Sequence, residues 1–287
     1  MEIQAYPNLQ LINNSIRLLY KSLKPARVRT FSNHQLYYDT RAISWSDPII
    51  ATQQLARIIA LHYQLPVATV IVYFSSNLPV PGRVEISNTN DYYIEIQEDL
   101  RKKQGWVAAI LAHEIAHIFL HKQKIWLETE FNNEVLTDTT AAFLGCGALI
   151  LNAASETSEH IDSISVRITT RHFGYLTLEE FGYVLAKRDL FFGFSSWKQI
   201  ESGIPRDGFS AGNNRLRAEN EQTPFMPRPL SERLIRTLLQ RFGRIGPVSS
   251  NSNFGCPCCA QILRVPQYSR TIRIRCPNCE AMFNCYP

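Results

Sequence analysis

LAHEIAHIFLH, residues 111–121, is an apolar run that contains three histidines and one glutamate. Apolar residues recur at helical spacing through it and before it, which predicts a helix from about Lys103 to His121. His113 and His117 are four residues apart, so their rings leave the same face of that helix with Cα atoms roughly 6 Å apart. Because burying such groups without a partner is costly, the pattern indicates that they hold a ligand.

The spacing of the two histidines suits a metal ion. Both imidazoles can reach one Zn²⁺ at about 2.0–2.1 Å. Glu114 follows the first ligand directly, where its carboxylate can take a proton from water that the metal activates. A Lewis acid, an activated water and a base are the parts that amide hydrolysis needs. The stretch therefore predicts a catalytic zinc with His113 and His117 as ligands and Glu114 as general base.

A third protein ligand has to come from another segment. His121 lies about 12 Å along the same straight helix from His113, which is too far to share one ion with it. The next predicted helix, over about residues 129–152, carries Glu134 and Asp138 on one face. Glu134 is the favoured ligand, and Asp138 is expected behind a ligating imidazole or an arginine. The alternative ligands are Asp138 itself, His160 and His172.

Six of the seven cysteines lie between Cys256 and Cys285. CPCC (256–259) and CPNC (276–279) form two Cys-x-x-Cys pairs separated by sixteen residues, a spacing typical of a four-thiolate zinc. The shared Cys-Pro-x-Cys form selects as ligands Cys256, Cys259, Cys276 and Cys279, with Cys258 and Cys285 left over. Residues 261–265 and 271–275 are predicted to pair as strands. The pattern predicts a zinc ribbon whose structural metal supplies the stability that so small a core lacks.

The C-terminal region is basic. Residues 228–287 contain nine arginines, no lysine and two acids, so this region has a net charge of +7. The whole chain has a net charge of +5, so the net charge of the remainder is about −2. Such a region predicts contact with nucleic-acid phosphates, docking of a protein partner, or plain attachment of the ribbon to the rest of the chain, and the sequence leaves all three open.

Composition places the chain among globular proteins. It has 287 residues, of which 45% are hydrophobic and 19% charged. The longest apolar stretch, residues 140–154, is too short for a membrane span and contains two glycines, so a buried core helix is expected. The N-terminus lacks the basic, apolar and small-residue sections of a signal peptide. These observations predict a cytoplasmic protein with no membrane segment.

Local patterns predict an α+β fold: a mainly helical core with a small β-sheet before the active-site helix, followed by the zinc ribbon. Asp47-Pro48, the capping box Thr177-x-x-Glu180 and Ser231 are expected to begin helices. The remaining elements are helices over about 8–23, 48–63 and 231–242, strands at 70–74, 84–86 and 91–96, a surface loop over 196–223 and a linker over 248–253. The predicted domains are a zincin-like domain (1–225), a connecting helix and linker (226–253), and the ribbon (254–287).

His113-Glu114-x-x-His117 followed by Glu134-x-x-x-Asp138 resembles the gluzincin type of zinc metallopeptidase. It is similar to the patterns of HtpX-like and ImmA/IrrE-like peptidases, and the short gap between His117 and Glu134 favours the second group. The resemblance covers roughly residues 82–152. It implies a zinc held by His113, His117 and Glu134, with Glu114 as general base. Residues 135–141 depart from the ImmA/IrrE pattern, so no substrate is carried over.

The expected activity is that of a zinc metalloendopeptidase acting on an intracellular protein or peptide substrate. Spacing assigns no oxyanion-stabilising residue; the candidates are His172, Tyr175 and Tyr183. One alternative is a nucleic-acid-associated protease, since SprT-like enzymes also join a His-Glu-x-x-His domain to a zinc module. Another is a non-enzymatic zinc-ribbon regulator or adaptor with a dormant zincin fold.

Overall fold

A computed structural model describes residues 6–32, 36–65, 70–86, 91–160, 166–193, 195–221, 230–243 and 252–286. The chain is mostly helical with small sheets, which confirms the α+β class. The helices are α1 (Leu9–Arg29), α2 (Leu36–Arg41), α3 (Pro48–His62), α4 (Gln104–Gln123), α5 (Glu130–Ala141), α6 (Gly147–Leu151), α7 (Leu178–Phe192), α8 (Ile204–Glu221) and α9 (Leu230–Arg241). The strands are β1 (Val70–Ser75), β2 (Gly82–Glu85), β3 (Tyr92–Gln97), β4 (Ser155–His160), β5 (Val166–Arg171), β6 (Ser252–Gly255), β7 (Ile262–Val265), β8 (Ile272–Arg275) and β9 (Met282–Cys285).

The predicted N-terminal helices are present. α1 buries its apolar stripe, and it runs past the predicted end at Leu23 through a kink at Lys24, which has φ 64°. Pro25 follows this residue, and proline disfavours helical backbone at the position before it. α3 begins as predicted: the Asp47 carboxylate accepts hydrogen bonds from the N–H groups of Ile49 and Ile50.

The sheet that precedes α4 has three strands in the order β1-β3-β2, with β1 parallel and β2 antiparallel to β3. Tyr92, Ile94 and Ile96 alternate along β3 and are buried towards the helices. At the β1 edge, the Gln53 amide of α3 donates to the Val70 carbonyl (2.6 Å) and accepts from the Val72 N–H (3.0 Å). The β2 edge lies next to α4.

α4 is buried on almost every side from Val107 to Leu120, as expected of a helix at the centre of a domain. α3, α5, α6 and the sheet surround it. One helical stretch, Glu130–Leu151, is long and apolar enough to cross a membrane, but 89% of its apolar window is buried inside the protein. This stretch is therefore a core element, as its composition predicted.

The helix predicted over residues 129–152 is interrupted. Ala142–Cys146 forms a π-helical turn in which Gly145 has φ 134°. Two carbonyls of this turn gain partners from other helices: His62 Nε2 donates to the Leu144 carbonyl (2.6 Å), and the Arg188 guanidinium donates to that of Phe143 (3.2 Å). The interruption is stable because other helices satisfy its backbone groups, a condition that the local sequence does not reveal.

The predicted loop over residues 196–223 is wrong. The segment forms a short 3₁₀ turn (Ser196–Gln199) and then α8, which packs along α7. Glycines of both helices serve this close packing: a Cβ at Gly212 of α8 would lie 2.0 Å from the Tyr183 N atom, and one at Gly182 of α7 would lie 2.2 Å from the Gly208 carbonyl oxygen. Gly208 and Gly212 lie four residues apart on one face of α8, but in the sequence such glycines cannot be distinguished from those of a loop.

Two features at the periphery also differ from expectation. The β4–β5 hairpin was missed because its residues, SETSEH and VRITTR, lack a clear apolar alternation. In the ribbon the predicted strands exist, but they do not pair with each other: β7 pairs with β6 and β8 with β9. Each Cys-x-x-Cys turn joins the two strands of its own hairpin, so local pairing takes precedence.

α9 begins at Leu230, one residue before the predicted cap Ser231. Most of the predicted linker, residues 248–251, lies outside the described residues, and its last two residues belong to β6. The predicted domain boundary at 225/226 also falls outside the described part of the chain. The domain division stays a prediction.

The tight contact between α7 and α8 predicts that Gly212→Ala destabilises the protein by about 3 kcal/mol, because the new methyl group would meet backbone atoms that cannot move aside. The measurement is the thermal unfolding midpoint by circular dichroism. Gly105→Ala is the matched control, since its Cβ would meet no atom closer than 3.9 Å and alanine suits a helix better than glycine. Equal midpoints for the two variants would contradict the packing described.

Candidate metal centres

Three side chains from α4 and α5 converge on one point. His113 Nε2 lies 3.0 Å from His117 Nε2 and 3.0 Å from Glu134 Oε2, and His117 Nε2 lies 3.3 Å from the same oxygen. Ligand atoms around a tetrahedral zinc at about 2.0–2.1 Å are about 3.3–3.4 Å apart. The three atoms therefore have the separation that a zinc-sized ion requires, and their donor set of two imidazoles and one carboxylate suits zinc.

Hydrogen bonds fix which nitrogen of each imidazole faces this point. A carboxylate only accepts, so His113 Nδ1 carries the proton in its 2.7 Å contact with Asp138 Oδ1. The Thr137 hydroxyl donates to the Asn133 carbonyl (2.8 Å), so it accepts from His117 Nδ1 at 3.2 Å. Both Nε2 atoms are consequently left with lone pairs directed at the common point, as metal ligands need.

Asp138 is fully buried and connects three segments. Besides His113, its carboxylate accepts hydrogen bonds from the backbone N–H groups of Tyr175 (2.5 Å) and Leu176 (3.2 Å). Gly174, with φ 98°, permits this approach, because a Cβ there would lie 2.7 Å from Asp138 Oδ2. The loop before α7 is thus held against the candidate centre by the carboxylate that orients His113.

Ionisation of the ligands follows from burial and mutual charge. Burial alone would raise the pKa of Glu134, but the imidazoles of His113 and His117 outweigh it and lower the pKa to about 2. Burial alone would lower the pKa of His113, but the carboxylates of Asp138 and Glu134 hold it well above its ordinary value. The low pKa of Glu134 and the raised pKa of His113 both indicate that the centre favours positive charge, which a metal cation would supply.

Glu114 lies beside the three ligands and is buried. Burial raises the pKa of its carboxyl, while the neighbouring imidazoles oppose the shift. The Val84 N–H on β2 donates a hydrogen bond to it. Gly82 brings this strand against α4: a Cβ there would lie 2.3 Å from the Ile110 side chain and 3.3 Å from Glu114 Oε1. The carboxylate is therefore positioned by the strand next to the cleft.

The centre opens into a cleft of about 550 Å³. Two of the three candidates for oxyanion stabilisation, His172 and Tyr175, line this cleft. The third, Tyr183, does not: it is buried between α1 and α8, where its hydroxyl donates to Glu219 (2.8 Å). The other lining residues are Val80, Pro81, Gly82, Arg83, Val84, Ile86, Trp106, His113, Glu114, His117, Glu130, Glu134, Phe173 and Gly174.

The predicted ribbon cysteines form a second cluster. Their four sulfur atoms are buried and lie within 4.8 Å of one another, with Cys256–Cys279 at 3.6 Å and Cys259–Cys276 at 3.7 Å. Sulfur atoms around a tetrahedral zinc at about 2.3 Å are about 3.8 Å apart, so the cluster fits a closed zinc site. Cys258 and Cys285 are buried but do not belong to the group of four.

The two Cys-x-x-Cys turns are alike in their backbone. The Ala260 N–H donates to the Cys256 carbonyl (2.7 Å), and the Glu280 N–H donates to that of Cys276 (2.9 Å). Ala260 and Glu280 both have positive φ, at 55° and 60°. A non-glycine residue in this region stores local strain, which persists only where the surroundings impose it. The constraint that closes each turn is the convergence of the cysteines.

Comparison with known proteins adds no assignment: no protein-family model, no curated protein and no solved structure matches this chain. The functional interpretation therefore depends on the two clusters of side chains and their surroundings.

The structure brings together the residues that the sequence selected for the first centre, with Asp138 behind His113 and not in the ligand group. His172 lies on the cleft wall, and the side chain of the other alternative ligand, His160, lies outside the described part of the structure. Sequence reasoning missed Thr137, which its position three residues after Glu134 could have indicated. It also missed Val84 and Gly174, for which no local signal exists.

Asp138→Asn is expected to weaken metal binding at the His/Glu centre by roughly 10–100-fold, because an amide cannot accept from His113 and from two N–H groups at once. The measurement is metal content after dialysis against a graded chelator. The cysteine centre is expected to stay loaded, so the metal count per chain should fall from two to one. Asp99→Asn, at an exposed site, is the control. Two metals retained at wild-type affinity would contradict this role.

Proposed function

We propose that the chain is a zinc-dependent metalloendopeptidase. The observation that carries the proposal is the cluster of His113, His117 and Glu134 with the buried Glu114 beside it, all at the wall of one cleft. Three protein ligands leave one position of a tetrahedral ion open, which is the arrangement of catalytic and not of structural zinc sites. A bound zinc would supply the Lewis acid that activates water and polarises the scissile carbonyl.

Glu114 is the residue suited to move the proton. Its carboxylate is screened from bulk water, and the Val84 N–H and the neighbouring imidazoles favour its ionised form. Burial raises its proton affinity, which suits a group that first collects a proton and then delivers it to the leaving amine. A purely structural metal site has no use for a buried carboxylate at this position.

The cleft is suited to an extended peptide. β2 forms one wall, and β3 is its only strand partner in the described sheet, so its other side is free to pair. Since the Val84 N–H reaches Glu114, the backbone groups of Gly82 and Val84 face the cleft and not β3. With the Val84 N–H bound to Glu114, a substrate strand could hydrogen-bond to the Gly82 groups and the Val84 carbonyl and present its own scissile carbonyl near the candidate ligands. This supports a protein or peptide substrate.

Tyr175 and His172 are the cleft residues available for stabilising negative charge on the substrate carbonyl. The Tyr175 ring lies parallel to that of His113 with centroids 6.4 Å apart, and Asp138 fixes its backbone. Its side chain is half exposed to the cleft. A hydroxyl held at this place can donate to a developing oxyanion, the largest single contribution in many acyl-transfer enzymes.

Glu114→Gln is expected to keep both metals and to lose cleavage by at least about 100-fold, because the amide cannot accept the proton. His117→Ala is expected to lose the metal of the first centre. The measurements are metal content and the release of new amino termini from an unfolded protein mixture. Glu128→Gln, exposed and outside the cleft, is the control. A fully loaded wild-type protein that cleaves nothing would support instead a dormant zincin acting as regulator or adaptor.

A nucleic-acid-associated protease is the second candidate, and the observation that favours it is the exposure of Arg264, Arg270 and Arg273 on the ribbon. Arginines on one exposed module attract phosphates, and such binding weakens steeply with salt. If this candidate holds, single-stranded or duplex DNA should stimulate cleavage at low salt and lose its effect at about 200 mM salt. Cleavage that is indifferent to nucleic acid at every salt concentration would exclude it.

A further inference from the structure

The first Cys-x-x-Cys turn of the ribbon is bound to the helical core. On α1, the Arg17 guanidinium donates to the Ala260 carbonyl (2.5 Å), and on α7 the Lys187 ammonium donates to the Pro257 carbonyl (3.2 Å). Both carbonyls belong to the turn that carries Cys256 and Cys259. The ribbon is therefore attached to the core through the backbone of its metal-binding turn.

Lys187 is an unusual residue for such a contact because it is 2% exposed. Its ammonium lies over the Tyr183 ring at 4.9 Å from the centroid. The acidic groups near enough to act on it are the Glu219 carboxyl and three cysteines, Cys256, Cys258 and Cys259, which are negative only as thiolates. Since burying an unpaired charge is very unfavourable, the position calls for a strong compensating negative charge.

Tyr20 supplies an independent observation. Its side chain is buried, and its hydroxyl has no hydrogen-bond partner among the described residues. The groups that act on this hydroxyl electrostatically are cysteines of the ribbon: Cys256, Cys258, Cys259 and Cys279. A buried hydroxyl without an acceptor costs about 1–3 kcal/mol, so an acceptor is expected beside it. No sulfur among the described residues accepts a hydrogen bond from it, and the thiolates of a loaded centre are the source of negative charge that acts on it.

A zinc ion held by four thiolates has a net charge of −2, and Lys187 and Tyr20 are the core groups placed next to it. We propose that these two side chains form a docking site for the metal-loaded cysteine centre, so that zinc in the ribbon fastens the ribbon to α1 and α7. Lys187 offsets part of the charge, and the buried Tyr20 hydroxyl turns its O–H dipole towards the thiolates. Glu219 faces Lys187 from α8 and already accepts from Tyr183, so it balances the cation only in part.

This arrangement makes the ribbon part of the core and not an independent module. In a free ribbon, zinc affinity would depend only on the ribbon's own residues. In a docked one, affinity and docking are linked: zinc strengthens the contact, and the contact strengthens zinc binding. The quantity that tests the proposal is therefore the zinc affinity of the ribbon in variants with a substitution in the core.

The test uses full-length protein carrying His117→Ala, which leaves only the ribbon zinc to be measured. Lys187→Met removes the cation with an apolar side chain of similar length, Tyr20→Phe removes only the hydroxyl, and Lys187→Arg keeps the charge. Lys198→Met, at an exposed lysine, is the matched control. The readout is zinc transfer to a coloured chelator. Lys187→Met and Tyr20→Phe are expected to weaken zinc binding by roughly 10–100-fold and Lys187→Arg by much less.

Hydrogen exchange provides a second readout that does not depend on activity. In the parent protein, chelation of zinc is expected to raise exchange in α1 and α7 around the contact residues, and Lys187→Met is expected to raise it with zinc present. A Lys187→Met protein that keeps its unfolding midpoint but loses zinc more readily would support the docking role. Wild-type zinc affinity and unchanged exchange in both Lys187→Met and Tyr20→Phe would overturn it, whatever the outcome for peptidase activity.

Discussion

The buried hydrogen bond between His113 and Asp138 is the interaction on which the candidate active centre depends. It crosses from α4 to α5 with both partners removed from water, so breaking it would leave a buried carboxylate with only two backbone N–H groups as partners. The same carboxylate holds the loop at Tyr175, which forms a wall of the cleft. One side chain thus orients a ligand, aligns two helices and shapes the cavity.

Local sequence was sufficient to predict which residues group together where they belong to one helical turn or to one Cys-x-x-Cys turn. His113, Glu114 and His117 share a turn of α4, and the cysteine pairs share a repeated backbone geometry, so spacing alone predicted their grouping. Helix starts at Asp47 and Thr177 were equally local, because a capping side chain acts within three residues. The prediction that Glu134 joins the two histidines went further, and the structure does group the three side chains. Few carboxylates compete for that position on the neighbouring helix face.

The remaining features could not be predicted because they depend on which segments meet. The sequence alone does not distinguish Gly212 from a loop glycine, because its role depends on the close contact with α7. The π-helical turn after α5 requires His62 and Arg188 from other helices, and the Glu114 carboxylate requires a strand N–H from Val84. None of these contacts produces a periodic pattern in the sequence, because each joins segments that are distant along the chain.

The Gln53 side chain has a consequence for how copies of this protein behave together. By donating to Val70 and accepting from Val72, its amide occupies the backbone groups at one border of the sheet in the way a neighbouring strand would. Within the described sheet, β2 is left as the sole border open to pairing. An open border can accept an added strand, whereas a covered one resists it, so continuous strand pairing from copy to copy through this sheet is hindered. This sheet thus has one border at which strand pairing is favoured and one at which it is hindered.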